Sequence, residues 1–263
     1  MRNDDHHPRC CRLWVQIPML ATMLAGSVYG NATDLPDTVD RIRPSIVGVG
    51  TQEVARRPPD QLRGTGFVVG DGTKVITNVH VVANELNDAR KEHLVVFIGR
   101  GGTASVRDAR IVKQDDTHDL ALLDIGTPPL PALRIGSASA AREGQRIAFT
   151  GFPIGAILGL YPVTHTGIIS AIVPIIIPVQ NASTLSATDI RFLRSPYNVF
   201  QLDATAYPGN SGSPVYDVQS GEVIGVVNQV FVKGKKEDVL KDPSAISYAM
   251  PATFVESLLQ GAQ

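Results

Sequence analysis

The chain has 263 residues, a length near the upper end for a single all-β domain. Its 24 basic and 25 acidic side chains leave a formal net charge of −1, so no broad basic field is present and nucleic-acid binding is not expected. Glycine (24) and proline (18) are frequent and aromatic residues make up only 6%, which favours many short strands joined by turns.

Residues 1–32 have the order of an export signal: positive, then apolar, then small. The apolar run from Leu13 to Ala25 is too short for a comfortable membrane span. We therefore predict a signal peptide, with an uncleaved N-terminal anchor that would associate the protein with a membrane as the alternative. Both cysteines, Cys10 and Cys11, lie in this segment, and without a second cluster at zinc spacing they predict neither a disulfide nor a metal site.

The sequence pattern of residues 33–134 predicts one short helix and six strands, which together form the first barrel. The helix is expected over Leu35 to Arg43, and the charged, proline-bearing stretch Val54 to Arg63 predicts a loop. Gly70-Asp71-Gly72 stands between two apolar runs and indicates a hairpin. The predicted strands are Ile46 to Gly50, Thr65 to Val69, Lys74 to Thr77, Leu94 to Ile98, Ala104 to Val112 and Leu120 to Ile125.

Residues 135–263 follow a proline-rich joint and predict a second set of about six strands. The strands are expected over Gln145 to Thr150, Val163 to Val173, Val199 to Leu202, Ser213 to Tyr216, Glu222 to Phe231 and Ser247 to Met250. Pro251 to Leu259 predicts a closing helix, with proline in its first turn and one apolar face. The fold class is therefore all-β: two six-stranded antiparallel β-barrels with a short C-terminal helix and a cleft where the barrels meet.

The turn Gly209-Asn210-Ser211-Gly212 is the main candidate for a functional site. Glycines on both sides of a serine suit a tight turn that pushes the hydroxyl outward and leaves neighbouring N–H groups converging. A nucleophile needs the exposed hydroxyl, and an oxyanion needs the N–H groups. Alone, the same tetrapeptide is also compatible with an ordinary β-turn.

A serine nucleophile needs a base and a carboxylate that orients the base. His80 stands where an apolar strand ends, and Asp119 opens a strongly apolar strand. The order His80, Asp119, Ser211 is that of the chymotrypsin arrangement. The other histidines have simpler explanations, as export-segment, solvated, turn or strand residues: His6, His7, His93, His118 and His165.

No stretch predicts a cofactor or a metal ion. Gly64-Thr65-Gly66 has the composition of a phosphate loop, but no helix pattern follows it and no βαβ unit surrounds it. No group of acidic residues has the spacing of a calcium site.

Together these motifs resemble the HtrA (Deg) group of trypsin-like serine proteases. The resemblance is carried by the stretches Gly64–Val69, Val75–Val82, Asp119–Leu123, Asp203–Pro214 and Glu222–Asn228. It implies a chymotrypsin-like double barrel and serine endopeptidase activity, in protein quality control in a bacterial envelope, periplasmic or secreted. It also implies polypeptide substrates, including unfolded proteins, and a homotrimer. A catalytically idle fold that serves as a chaperone or binding module is the alternative.

The resemblance assigns a role to each candidate residue. Ser211 attacks the scissile carbonyl, and His80 acts as general base and then as general acid. Asp119 orients His80 and stabilises its charged form. The N–H groups of Gly209 and Ser211 form the oxyanion hole, with Asn210 shaping the turn between them.

The substrate pocket is expected to lie beside this turn. Thr205, six residues before Ser211, stands at the expected base of the pocket, where trypsin-type enzymes have an aspartate. Val226, Val227 and Asn228 are expected to line it. Because the base of the pocket carries no charge, we expect it to accept small or medium apolar substrate residues immediately before the cleaved bond.

Three features depart from the group. No PDZ domain follows the closing helix in this sequence, and Ser213 stands where the group usually has glycine, a form that also resembles glutamyl endopeptidases. Ala156 to Val199 is longer than is usual, and its apolar part, Ile172 to Val179, predicts either a strand with a packed loop or a partly exposed flap at the cleft.

Overall fold

Two antiparallel β-sheets form the framework of the described chain, because apolar runs of strand length alternate with glycine- and proline-rich turns. The computed structural model describes residues 34–83, 86–153, 159–175, 196–228 and 246–261. The predicted export segment and its cysteines lie outside the described residues. Both sheets belong to one compact unit, Thr33–Gln263.

The first sheet is open and has seven strands in the order β5-β4-β1-β2-β3-β7-β6. Every neighbouring pair is antiparallel. The strands are β1 Ile46–Gln52, β2 Asp60–Val69, β3 Lys74–Thr77, β4 His93–Ile98, β5 Ser105–Asp108, β6 Arg110–Asp115 and β7 Leu120–Asp124.

The prediction of a closed six-stranded first barrel was therefore wrong in detail. The run predicted as a single strand, Ala104 to Val112, divides at Ala109, which lies between β5 and β6 and whose N–H still donates to Leu94 O of β4. The two halves then pair with different strands, β5 with β4 and β6 with β7, at opposite ends of the sheet. The predicted loop Val54 to Arg63 is also shorter than expected, because β2 begins at Asp60, which pairs with Gln52.

The second sheet is a closed barrel of six strands in the order β10-β13-β12-β11-β8-β9, which confirms the prediction for this half. Its strands are β8 Arg146–Gly151, β9 Val163–Pro174, β10 Asn198–Asp203, β11 Pro214–Asp217, β12 Val223–Asn228 and β13 Ile246–Pro251. The predicted boundary at residues 134 and 135 falls between β7 and β8 and stays a prediction. In the apolar segment predicted as strand or flap, Ile172 to Pro174 belong to β9, Ile175 is buried, and the rest lies outside the described residues.

Three α-helices are described: α1 Leu35–Ile42, α2 Val79–Val82 and α3 Ala252–Gln260. The Asp34 side chain caps α1 by accepting from Leu35 N, and a short 3₁₀ turn, Arg43–Ser45, follows this helix. The closing helix α3 matches the predicted segment to within one residue at each end. No helix in the described ranges is both long and apolar enough to span a membrane.

The two sheets share one hydrophobic core. Phe67 and Ile76 of the first sheet belong to the same buried cluster as Tyr216 and Met250 of the barrel, and Val255 of α3 joins them. All five side chains are fully buried. Burial of this apolar surface therefore holds the two sheets together.

Candidate active site

His80 and Asp119 form a hydrogen-bonded pair on the first sheet. Strand β3 ends at Thr77, and His80 lies on the single-turn helix α2 that follows it. The His80 ring nitrogen Nδ1 lies 2.5 Å from Asp119 Oδ2, and the His80 backbone N–H donates to Oδ1 at 2.9 Å. Because an ionised carboxylate can only accept, Nδ1 carries the proton, which leaves Nε2 as the free acceptor of the neutral ring.

The Asp119 backbone is held by hydrogen bonds from the residues next to His80. Asp119 has a positive φ of 53°, a conformation uncommon for residues other than glycine, and it directly precedes β7. Its carbonyl oxygen accepts from Asn78 Nδ2 at 2.8 Å and from Val79 N at 3.3 Å. The residues leading into α2 therefore bind the aspartate backbone, while His80 binds its carboxylate. Sequence reasoning missed the part played by Asn78.

Ser211 lies in the second of two consecutive turns that share Asn210. Asn210 N donates to Tyr207 O at 2.9 Å, and Ser213 N donates to Asn210 O at 3.0 Å. The third residues of these turns are Gly209, with φ of 100°, and Gly212, with φ of 85°, as type II turns require. Ser211 itself is only 5% exposed, so this turn buries most of the residue.

Thr65 of β2 connects this turn to the first sheet. Its N–H donates to Ser211 O at 2.9 Å, and its hydroxyl donates to Gly209 O at 2.7 Å while accepting from Phe152 N at 2.9 Å. Sequence reasoning missed this role. The sequence signal that could have revealed it was the pair of glycines beside Thr65. The structure explains these glycines by the close approach of neighbouring chain segments.

Gly64 lies close to both the serine turn and the helix that carries His80. A methyl group built on Gly64 would lie 3.0 Å from Ser211 O and 2.7 Å from Val81 Cγ2. Since Val81 directly follows His80 on α2, the serine turn and the histidine helix lie on either side of one glycine. The serine turn and the helix that carries His80 are therefore neighbours, and His80 is in turn bonded to Asp119.

The Asn210 side chain is fully buried, next to His165 of β9. Its amide nitrogen lies 3.5 Å from Nε2 of His165, whose ring stacks on Phe149 at a centroid distance of 4.9 Å. Burial lowers the pKa of His165, which favours the neutral ring beside the amide. The position agrees with a residue that shapes the turn from inside the barrel.

The four residues predicted to form the substrate pocket differ in their exposure. Thr205 is half-buried in the loop after β10, whereas Val226, Val227 and Asn228 of β12 are at most 1% exposed. Val226 packs in the core shared by the sheets, and Val227 packs inside the barrel. The assignment of these four residues to a substrate pocket stays a prediction.

The comparisons with known proteins identify the family. The family model described as a trypsin-like peptidase domain matches residues 64–226, which is more than half of the chain and includes His80, Asp119 and Ser211. The chain belongs to the trypsin-like peptidase family.

Relatives from the HtrA group match most of the chain. "Serine protease HTRA1B" of Danio rerio is 29% identical over 228 residues, covering 86% of this chain and 40% of the relative. "Probable periplasmic serine endoprotease DegP-like" of Chlamydia trachomatis is 30% identical over 214 residues, covering 81% of this chain and 36% of the relative. The chain thus spans about two fifths of the length of the curated relatives it matches.

A solved structure supports the same fold. "HtrA-type protease AlgW with tripeptide" superposes with a TM-score of 0.61 at 24% identity, covering 87% of this chain and 63% of the other. This similarity agrees with an all-β, chymotrypsin-like architecture in which one half is a closed barrel and the other is a half-barrel.

Proposed function

We propose that this chain is a serine endopeptidase that hydrolyses peptide bonds through Ser211, His80 and Asp119. The observation that carries the proposal is the His80–Asp119 pair, in which the ring Nδ1 is hydrogen-bonded to the carboxylate. Val81, the next residue on the same helix, and the serine turn both lie close to Gly64. In this arrangement His80 Nε2 is the atom available to take a proton from a hydroxyl.

In the proposed mechanism, the Ser211 hydroxyl attacks the scissile carbonyl while His80 Nε2 takes its proton. The Asp119 carboxylate stabilises the imidazolium that forms. His80 then returns the proton to the leaving amine, and the resulting acyl-enzyme is hydrolysed by water with His80 again acting as base. Neither step calls for a metal ion or a cofactor.

The oxyanion of the tetrahedral intermediate would be bound by the N–H groups of Gly209 and Ser211. The positive φ of Gly209, in a turn closed by the Asn210 N–H, supports this assignment, because the turn fixes the direction of the Gly209 peptide. Losing one such donor costs on the order of 3 kcal/mol of transition-state stabilisation.

We further propose that the substrates are polypeptides, including unfolded proteins, and that the protein acts in quality control in the bacterial envelope. The proposal is supported by the relative named as periplasmic in Chlamydia trachomatis and by AlgW structures with a tripeptide and a decapeptide. The export signal predicted from residues 1–32 agrees with that setting. The predicted preference is for small or medium apolar residues before the cut.

Hydrolysis of denatured casein tests the proposal, with Ser211→Ala and Ser213→Ala as the paired variants. The Ser213 hydroxyl is buried, and it has no hydrogen-bond partner within the described residues, so its removal is a matched control for loss of a serine from the same turn. We expect wild type and Ser213→Ala to cleave and Ser211→Ala to be inactive. Binding of casein without cleavage by wild type would instead support an idle fold that acts as a chaperone.

A further inference from the structure

The turn that precedes Asp119 is closed by a second histidine–aspartate pair that the proposed mechanism does not use. Asp115 Oδ1 accepts from the N–H groups of Thr117 and His118, each at 3.1 Å. The other oxygen, Oδ2, lies 2.6 Å from His118 Nδ1. One carboxylate therefore fixes both the backbone and the ring of the residue directly before Asp119.

The His118 ring is also fixed from the other half of the molecule. It stacks on Phe254 of α3, with ring centroids 3.7 Å apart and planes 18° apart. Tyr197, just before β10, packs on the same ring at 4.6 Å and meets Phe254 edge-on at 5.3 Å. These three rings form a cluster that attaches the turn of the first sheet to α3 and to the residue just before β10.

A hydrogen bond from Tyr197 adds to this attachment. The Tyr197 hydroxyl donates to Thr117 O at 2.9 Å. Burial, together with the nearby charges of Asp115 and Asp119, raises the pKa of Tyr197, so the hydroxyl stays protonated and remains a donor.

Asp119 depends on its neighbours more than an ordinary strand residue does. Its φ of 53° is unfavourable for a side chain with a Cβ, so the conformation persists only where the surrounding structure holds it. The His80 contacts hold the carboxylate, but the path of the chain into Asp119 is set by Thr117 and His118. Movement of this turn would therefore rotate the carboxylate relative to the imidazole.

We propose that the cluster of His118, Tyr197 and Phe254 is a positioning device for Asp119. It fixes the turn before Asp119 against α3 and thereby keeps the carboxylate on His80 Nδ1. His118 is not a second base in this account, because its Nδ1 serves the turn and one face of its ring is covered by Phe254. The inference rests on the proposed function, in which Asp119 orients His80.

The test compares Phe254→Ala with Val255→Ala on the same helix. Val255 is fully buried in the core shared by the sheets, so its truncation loosens α3 without removing a ring from His118. Phe254→Tyr keeps the ring and is the conservative rescue. For each variant, kcat and KM are measured on a peptide substrate below the melting temperature. The low-field proton resonance of His80 Nδ1–H is recorded as well, and its assignment comes from its absence in His80→Ala.

We expect Phe254→Ala to lower kcat about tenfold with little change in KM, and to shift or broaden the His80 resonance. Val255→Ala and Phe254→Tyr should leave kcat and the His80 resonance close to those of wild type. The inference is overturned if Phe254→Ala matches Val255→Ala in kcat and in the resonance. The resonance does not require turnover, so a wild type that cleaves no peptide would refute the proposed function while the positioning of Asp119 is still tested.

Discussion

The two halves of the molecule hold their parts of the candidate site by different means. In the open first sheet, side chains bind one another: the His80 ring and the Asp119 carboxylate are directly hydrogen-bonded. In the closed barrel, the backbone holds Ser211, through two turns whose third residues are glycines with positive φ. Side-chain contacts thus hold the candidate residues of the first half, whereas turn geometry holds the proposed nucleophile of the second half.

This difference predicts different responses to mutation. A side chain such as His80 can be replaced without changing the fold around it, so its loss should affect activity alone. A turn glycine such as Gly212 cannot be replaced without moving the chain, so its loss should affect folding as well. The following predictions test the contrast, from the largest expected effect to the smallest.

His80→Ala and Asp119→Asn should each lower kcat by on the order of 10⁴-fold while leaving the melting temperature close to that of wild type. The first removes the proposed base, and the second removes the acceptor that holds the Nδ1 proton. Peptide hydrolysis and thermal unfolding measured on the same samples check the prediction. A variant that keeps a tenth of wild-type kcat would show that its residue lies outside the mechanism.

Gly212→Ala should destabilise the fold by roughly 4 kcal/mol or more and abolish activity. An added methyl group would lie 2.0 Å from Thr65 O and 2.6 Å from Thr77 Oγ1, at a φ of 85°. Gly126→Ala is the matched control, since Gly126 has a φ of 61° but open space around it, and it should cost only about 1 to 2 kcal/mol. If urea unfolding shows that Gly212→Ala and Gly126→Ala lose the same stability, the close approach of the chain at Gly212 adds nothing to the cost of the substitution.

Thr65→Val should cost about 1 to 3 kcal/mol of stability and reduce activity, because it leaves Gly209 O and Phe152 N without their partner. Thr77→Val removes a comparable buried hydroxyl, which donates to Thr65 O at 2.7 Å, but leaves the turn's own bonds intact. Chemical denaturation and hydrolysis of the same peptide check both variants. If Thr77→Val lowers activity as much as Thr65→Val, the connection through Thr65 has no special effect on the serine turn.

Glu92→Gln should change the acid stability of the first sheet. A hydrogen bond from Thr51, helped by Arg56 and Arg63, lowers the pKa of Glu92 from 4.5 to about 2. Because the folded-state pKa lies below the unfolded value, Glu92 stabilises the fold fully above about pH 4.5, and this contribution is lost as the pH falls towards 2.

The free energy of unfolding, measured from pH 7 to pH 2.5, should therefore be lower for Glu92→Gln than for wild type at neutral pH. The difference should narrow as the pH falls below 4.5. Glu256→Gln, on the exposed side of α3, serves as the control and should follow wild type throughout. A difference for Glu92→Gln that stays constant with pH would contradict this account.

Most of the strands could be predicted because they are short apolar runs between glycine- and proline-rich turns, as in β3 and β12. The site residues His80, Asp119 and Ser211 could be proposed because each stands at the end of such a run or in a glycine turn. The pairing of the strands could not be predicted. No local feature of Ala104 to Val112 shows that its two halves pair with different strands. Partners distant in sequence, such as Thr65 with Gly209 or His118 with Phe254, depend on the assembled fold and leave no periodic signal.

The central claim is that His80 and Asp119 of one half activate Ser211 of the other. The most direct test is to react the folded protein with a fluorophosphonate and locate the adduct by mass spectrometry, in wild type and in His80→Ala. The account predicts a single adduct on Ser211 in wild type that forms at least about 100-fold more slowly in His80→Ala. An adduct on another residue, or equal rates in the two proteins, would contradict it.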